Sequence, residues 1–155
     1  MFCADSWNDY GRDFGVNTLK SILTDVVKQV HSRGGNIVRL WLHCDAAATP
    51  LWTGTSTSDT VTRLPSSFIP QLKAYLDVAQ KEGVFVLLSL FDFLIVRNHG
   101  SLYYDKKVRQ SYIDNALTPL VTQLKSYPNV LWEIFNEPEG VTPEHQGWQY
   151  PQVGG

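Results

Sequence analysis

"VFVLLSL", residues 84–90, is an apolar run without the polar alternation of a strand that has one wet face. Such a run is expected of a strand covered on both sides, as in a parallel sheet. Its neighbours support that reading. Upstream, residues 67–82 read as a helix, with Phe68, Leu72, Tyr75, Leu76 and Ala79 on one stripe, Pro70 tolerable in the first turn, and Gly83 at the end. Further upstream, "NIVRLWL" (36–42) is a second strand-like run. It follows a helical stretch, 18–33, carrying Leu19, Ile22, Leu23, Val26, Val27 and Val30, with Asn17 as N-cap and Gly34 just past the end. Downstream, after a connection at 91–104, residues 105–126 give a third helix through Val108, Tyr112, Ala116, Leu117, Leu120 and Leu124. Pro119 should kink it, because the carbonyl of Asn115 loses its donor. Tyr127-Pro128 closes that helix, and "NVLWEIF" (129–135) supplies the next strand.

The order is therefore (β)αβαβαβ, which predicts right-handed crossovers and a parallel sheet. The long connections, 43–66, 91–104 and 137 onward, all follow strands. A (β/α)8 barrel and an open doubly wound sheet both place their sites at that end, and the pattern alone fits either. No Gly-x-Gly-x-x-Gly or P-loop stretch occurs, which counts against nucleotide-binding versions. A net charge of -2 and no Lys/Arg run argue against a nucleic-acid partner. No apolar run approaches the ~18 residues of a membrane span. The start, "MFCADSWNDYGRDFG", has neither the basic nor the apolar region of a signal peptide. No two of the four His stand at i, i+3 or i, i+4, so no metal site is expected.

Alternation puts Glu133, Phe135 and Glu137 on one face of the last strand, and Arg39 and Trp41 on one face of the second. A charge inside an apolar strand is costly unless paired. For Arg39 and Glu133 the plain reading is a structural salt bridge. The other is that Arg39, expected near the strand's C-terminal end, holds a catalytic carboxylate ionised. Glu137 at a strand's end, partly desolvated, could serve as a general acid, with Asn136 beside it for a substrate hydroxyl and Pro138 stiffening the exit. Taken alone, a Glu before Pro reads as a solvated loop residue.

Four segments change that balance. "WEIFNEPEG" (132–140) resembles the acid/base motif of the clan of retaining (β/α)8 glycoside hydrolases that includes family five. "IVRLWLH" (37–43) resembles that family's second strand, "SWNDYGRDFG" (6–15) the loop after strand one in animal and related endo-β-mannanases, and "YIDNALTPLV" (112–121) the segment before the Asn-Glu-Pro strand. The resemblance spans essentially the whole chain. It implies that Glu137 is the acid/base, that Asn136 contacts the 2-hydroxyl at the cleavage subsite, and that Arg39 holds the nucleophile's carboxylate. Trp7, Trp41, His43 and Trp52 become subsite candidates; packed core is the alternative for Trp41, and a plain strand-end polar residue for His43. The implied partner is a β-mannan-like polysaccharide, with no cofactor, nucleic acid or membrane, and the implied location is extracellular. The motif is shared by mannan- and glucan-cleaving enzymes; the flanking segments favour mannan.

One part of the pattern is not found. A retaining glycosidase uses two carboxylates ~5–5.5 Å apart, and the family takes its nucleophile from strand seven. A full barrel takes ~250 residues, against 155 here. The expected architecture is thus an incomplete (β/α)8 barrel of about the first four β/α units, one partial domain over 1–155, with the acid present and the nucleophile absent. Asp45 and Asp92 follow the second and third strands but not at nucleophile positions; Asp92 is expected to bind sugar hydroxyls. Unpaired edge strands would then favour association with the missing C-terminal half. Two other readings stay open: a truncated paralogue that binds β-linked oligosaccharide without cleaving it, and a compact four-stranded α/β domain of unrelated function. Cys3 and Cys44 are expected near the ends of adjacent strands, close enough for a disulfide in a secreted protein; two buried thiols are the alternative.

Overall fold

The computed structural model describes residues 2–3, 21–56 and 58–138. Four parallel strands form one sheet in the order β1 (Phe2–Cys3), β2 (Ile37–Cys44), β5 (Phe85–Asp92), β6 (Val130–Asn136). Helix α1 (Ser21–Ser32) connects β1 to β2, α2 (Phe68–Lys81) connects β2 to β5, and a longer helical segment connects β5 to β6. Strand order follows chain order and the sheet stays open, so this is an incomplete (β/α) barrel of a few units.

The helix-to-strand turns follow from two glycines. Gly34 and Gly83 have φ of 78° and 68°, a region costly to residues with a Cβ. The Gly35 N–H donates to Val30 O and the Val84 N–H to Ala79 O, each at 2.8 Å, which satisfies carbonyls at the two helix ends. The chain can therefore enter the next strand within a few residues.

One face of the sheet carries Val38, Leu40, Leu42, Val86, Leu88 and Leu90, all buried and packed in one core with Phe68, Leu72, Leu76, Leu120 and Leu124 from the helices. The opposite face would line the interior of a closed barrel. It bears Arg39, Trp41, Leu87, Ser89, Leu131 and Glu133, several of them only half-buried. The apolar run at 84–90 is thus tightly covered on the helix side and more loosely on the other. On edge strand β6, Leu131, Trp132 and Ile134 stay exposed, Ile134 at 75%.

Two connections contain more structure than the sequence suggested. Within 43–66, β3 (Leu51–Trp52) and β4 (Val61–Arg63) pair antiparallel. Within 91–104 lie two short helices, α3 (Ile95–His99) and α4 (Ser101–Tyr104). The third long helix also differs from expectation. It runs as α5 (Lys106–Tyr112), a π-turn (Ile113–Leu117) and α6 (Thr118–Leu124). Asp105 caps it, its carboxylate accepting from Lys107 N at 2.7 Å and Val108 N at 3.3 Å. Pro119 has no N–H to give, and the ladder adjusts just before it: Thr118 N–H reaches back to Ile113 O. From this helix, Ser111 Oγ accepts from Val61 N (2.9 Å) and Asn115 Nδ2 donates to Val61 O (2.8 Å), which docks the β3–β4 hairpin. Among the described residues no helix is long and apolar enough to cross a membrane.

Candidate active site

The C-terminal ends of β2, β5 and β6 converge on one edge of the sheet. Strand register sets Asp92 beside Asn136. Asn136 Nδ2 donates to Asp92 Oδ2 at 2.6 Å, and Leu94 N donates to Asp92 Oδ1 at 3.0 Å. Both side chains are buried, at 2% for Asp92 and 6% for Asn136. Asp92, expected to bind sugar hydroxyls, is thus buried and hydrogen-bonded within the protein. Its oxygens are committed to the protein.

Glu137 follows at once, exposed, with φ of 51°. A left-handed backbone costs a non-glycine residue roughly 1–2 kcal/mol. The turn ends the strand's alternation as the chain enters Pro138.

Arg39 and Glu133, the two charges that needed partners, are partners of each other. Arg39 Nε and Nη2 both reach Glu133 Oε2, at 2.7 and 2.6 Å, across the intervening strand β5. The Arg39 guanidinium also lies 5.7 Å from the centre of the Trp41 ring. Arg39 is third of the eight residues of β2, nearer its start than the C-terminal end where sequence reasoning put it. Glu133 lies four residues before Glu137, a rise of roughly 13 Å for extended strand. The ion pair thus sits on the interior face below Glu137, rather than beside it.

His43 does not face an open site. It is 1% exposed, with ring centres of Phe68, Phe91 and Tyr112 at 5.5, 5.3 and 5.8 Å. Its Nδ1 lies 3.1 Å from Thr49 Oγ1. Burial pushes the imidazole down to about 3. The cause is a register shift between Trp41 and Cys44, which breaks alternation so that Leu42 and His43 are both buried. Trp41 is half-buried on the interior face.

Trp52, another tryptophan expected at a subsite, lies on the β3–β4 hairpin. Its ring stacks on His99 at 3.7 Å and 7°, and its Nε1 donates to Ala46 O at 3.2 Å. The pair lines an open groove of about 350 Å³ with Ala48, Pro50, Thr55 and Asn98. Burial lowers the His99 pKa, opposed by Asp59 and Asp45. The partnership of His99 with Trp52 had no sequence signal, since they lie on separate connections. That of Asp92 with Asn136 had one: β5 ends in Phe91-Asp92 and β6 in Phe135-Asn136, and matching the two endings gives the register.

Trp7 lies outside the described residues, as does Asn17. The Cys3 side chain does too. Its backbone pairs level with Arg39, five residues before Cys44 on the same strand, a rise of roughly 16 Å. Disulfides need Cα atoms within about 7 Å, so this register does not bring the two cysteines together. Burial, then Asp92 and Asp45, push the Cys44 thiol up to about 11.

Comparisons with known proteins identify the family. The family model described as cellulase (glycosyl hydrolase family 5) matches residues 7–153. A mannan endo-1,4-beta-mannosidase of Cryptopygus antarcticus is 38% identical in an alignment of length 143 that covers 87% of this chain and 37% of that protein. One from Mytilus edulis is 34% identical, again over 87% of this chain and 38% of its own length. The X-ray structure of the Mytilus edulis β-mannanase superposes with a TM-score of 0.77 at 32% identity, covering 88% of this chain and 40% of that one. The chain thus spans well under half the length of these relatives. Fold, motif and relatives agree: the chain belongs to glycosyl hydrolase family 5, with a mannanase-like fold.

Proposed function

We propose that this chain supplies the acid/base half of a retaining endo-β-1,4-mannanase. The observation that carries the reading is the position of Glu137, exposed at the end of β6 beside a buried Asn136 whose carboxamide is fixed by hydrogen bonding. Glu137 would protonate the leaving glycosidic oxygen and then, as the base, activate the water that hydrolyses the glycosyl-enzyme. Asn136 would hold the 2-hydroxyl of the sugar at the point of cleavage. Mannan is the proposed substrate because both curated relatives above are named mannan endo-1,4-beta-mannosidases. A polymer of this kind is met outside the cell, so an extracellular location goes with it.

The nucleophile is proposed to come from polypeptide other than these residues. The described carboxylates flanking Glu137 on the sheet are engaged: Glu133 with Arg39, and Asp92 with Asn136 and Leu94. The Arg39–Glu133 pair then serves as a charged pillar in the barrel interior. The exposed Leu131, Trp132 and Ile134 on edge strand β6 favour pairing with further barrel polypeptide. They equally favour a second reading, in which a chain paired in this way binds β-mannan without cleaving it.

The test is hydrolysis and binding of β-1,4-manno-oligosaccharides by the purified chain. Binding without turnover is expected, weakened by Asn136→Ala. Turnover that Glu137→Gln abolishes would overturn the external origin of the nucleophile. Binding unchanged by both substitutions would overturn the placement of the site.

A further inference from the structure

We propose that the groove between the β3–β4 hairpin and α3 is a second carbohydrate-binding place, which takes an uncharged sugar ring against the indole of Trp52, apart from Asn136 and Glu137. Naming that sugar a β-1,4-linked mannoside rests on the reading of the chain as half of a mannanase. The choice of an uncharged ring rests on the groove itself.

The walls come from two connections. Trp52 stands on the hairpin that follows β2, and Asn98 and His99 on the helix that follows β5. Both connections leave the sheet at the strand ends, as Glu137 does after β6. They are tied together and held in place. Asn98 Nδ2 donates to Asp45 O at 2.9 Å, and Trp52 Nε1 to Ala46 O at 3.2 Å. Val61, the register partner of Trp52 in the hairpin, is bonded on both its N–H and its C=O by Ser111 and Asn115. Walls fixed before a ligand arrives lose little freedom on binding.

One face of the Trp52 indole is covered by His99, at 3.7 Å and 7°. Trp52 is nevertheless only half-buried, and it lines the groove. What it offers there is its other face and its rim. His99 is 6% exposed, and its Nδ1 has no hydrogen-bond partner among the described residues. The imidazole thus backs the indole rather than joining a hydrogen-bond network.

The surroundings choose the ligand class. Beside Trp52 stand Ala48 and Pro50, apolar, and Thr55 and Asn98, polar. None of the described residues lining the groove carries an Asp, Glu, Lys or Arg charge. Burial lowers the His99 pKa, so its ring is neutral at pH 7. Two carboxylates near it in the fold are turned to the protein: Asp45 Oδ1 accepts from Ala47 N at 3.0 Å, and Asp59 Oδ1 from Thr53 Oγ1 at 2.8 Å. A phosphate or carboxylate ligand would meet no cation on these walls. A groove of about 350 Å³ with a fixed aromatic plane and a few polar groups suits a small neutral molecule that has an apolar face and a polar rim. A pyranose ring is such a molecule, with C–H groups on its face and hydroxyls around its edge.

The test is an NMR titration of the full chain with β-1,4-mannobiose. The Trp52 indole N–H and the Asn98 side-chain amide report on the groove, and the Asn136 side-chain amide on the end of β6. Both groove signals should shift together and saturate. Trp52→Ala should weaken the binding followed at Asn98 about tenfold. Trp52→Phe, which keeps an aromatic plane, should weaken it less. Asn136→Ala should leave the groove affinity within about twofold. Silent groove signals would overturn the inference, as would an unchanged affinity in folded Trp52→Ala. An equal loss at the groove in Asn136→Ala would show one site instead of two and overturn it as well. If Trp52→Ala fails to fold, Trp52→Phe and the native titration decide. A shift at Asn136 alone would overturn the groove and leave the proposed function standing. Shifts at the groove alone would sustain the groove and overturn the placement of the sugar at Asn136.

Discussion

Removing the charge of Glu133 should expose the cost of an arginine in an apolar strand. In Glu133→Gln, Arg39 keeps its position but loses its counter-charge on the interior face. At 2.6 Å and an effective dielectric near 20, the gross attraction is about 6 kcal/mol. Much of this is offset by desolvation of both groups. Breaking a buried pair costs about 3–5 kcal/mol and an exposed one about 0–1. Side-chain exposures of 18% for Arg39 and 27% for Glu133 place this pair between those limits, so a loss of about 2 kcal/mol is expected. Urea unfolding is the assay. With a slope of about 2 kcal/mol per molar, the midpoint should fall by roughly 1 M. The double substitution Arg39→Met with Glu133→Leu should cost less than the two single substitutions added together, because it leaves no unpaired charge. A Glu133→Gln midpoint within about 0.2 M of the native one, or strict additivity in the cycle, would refute the reasoning.

Two further outcomes are expected. The His43 pKa is lowered to about 3 by burial, from about 6.5 when unfolded. Its contribution to stability is fully present above pH ~6.5 and is lost as pH falls toward 3, at up to ~1.4 kcal/mol per pH unit. Unfolding midpoints between pH 7 and 4 should show this slope, and His43→Phe should flatten it; an equal slope in that variant would rule His43 out as its source. Gly83→Ala places a Cβ at φ 68° with no atom within 4 Å of it, so the penalty is conformational alone. A loss of about 1 kcal/mol, or roughly 3 °C in Tm, is expected, and no change would show that the left-handed turn is not required.

Reading the fold from residues worked where one periodicity governed a whole segment. The stripes through 67–82 and the run at 84–90 needed only their own spacing to be recognised, and the parallel order followed from the alternation of helix and strand. That Asn136 and Glu137 stand at a strand end was legible because the signal is local: the apolar run stops at Pro138. Reading failed where contacts crossed between segments. The π-turn before Pro119 was missed because a ladder can also answer a lost hydrogen bond by shifting its neighbours' partners, as Thr118 does in reaching Ile113 O. The β3–β4 hairpin was missed because its strands of two and three residues carry too little pattern. It is held by Ser111 and Asn115, some 50 positions away in the chain.

By itself the sequence determined the order of the main parallel strands and of the long helices between them, and the place of Glu137 at a strand end, because each is written in local periodicity or in adjacent residues. Tertiary structure alone decided the fates of the polar groups. It paired Arg39 with Glu133 across β5 and turned His43 into an aromatic cluster through a one-residue register shift. A buried polar group is defined by what stands opposite it. Register, bulges and burial choose that partner, and none of these is a property of one segment read alone.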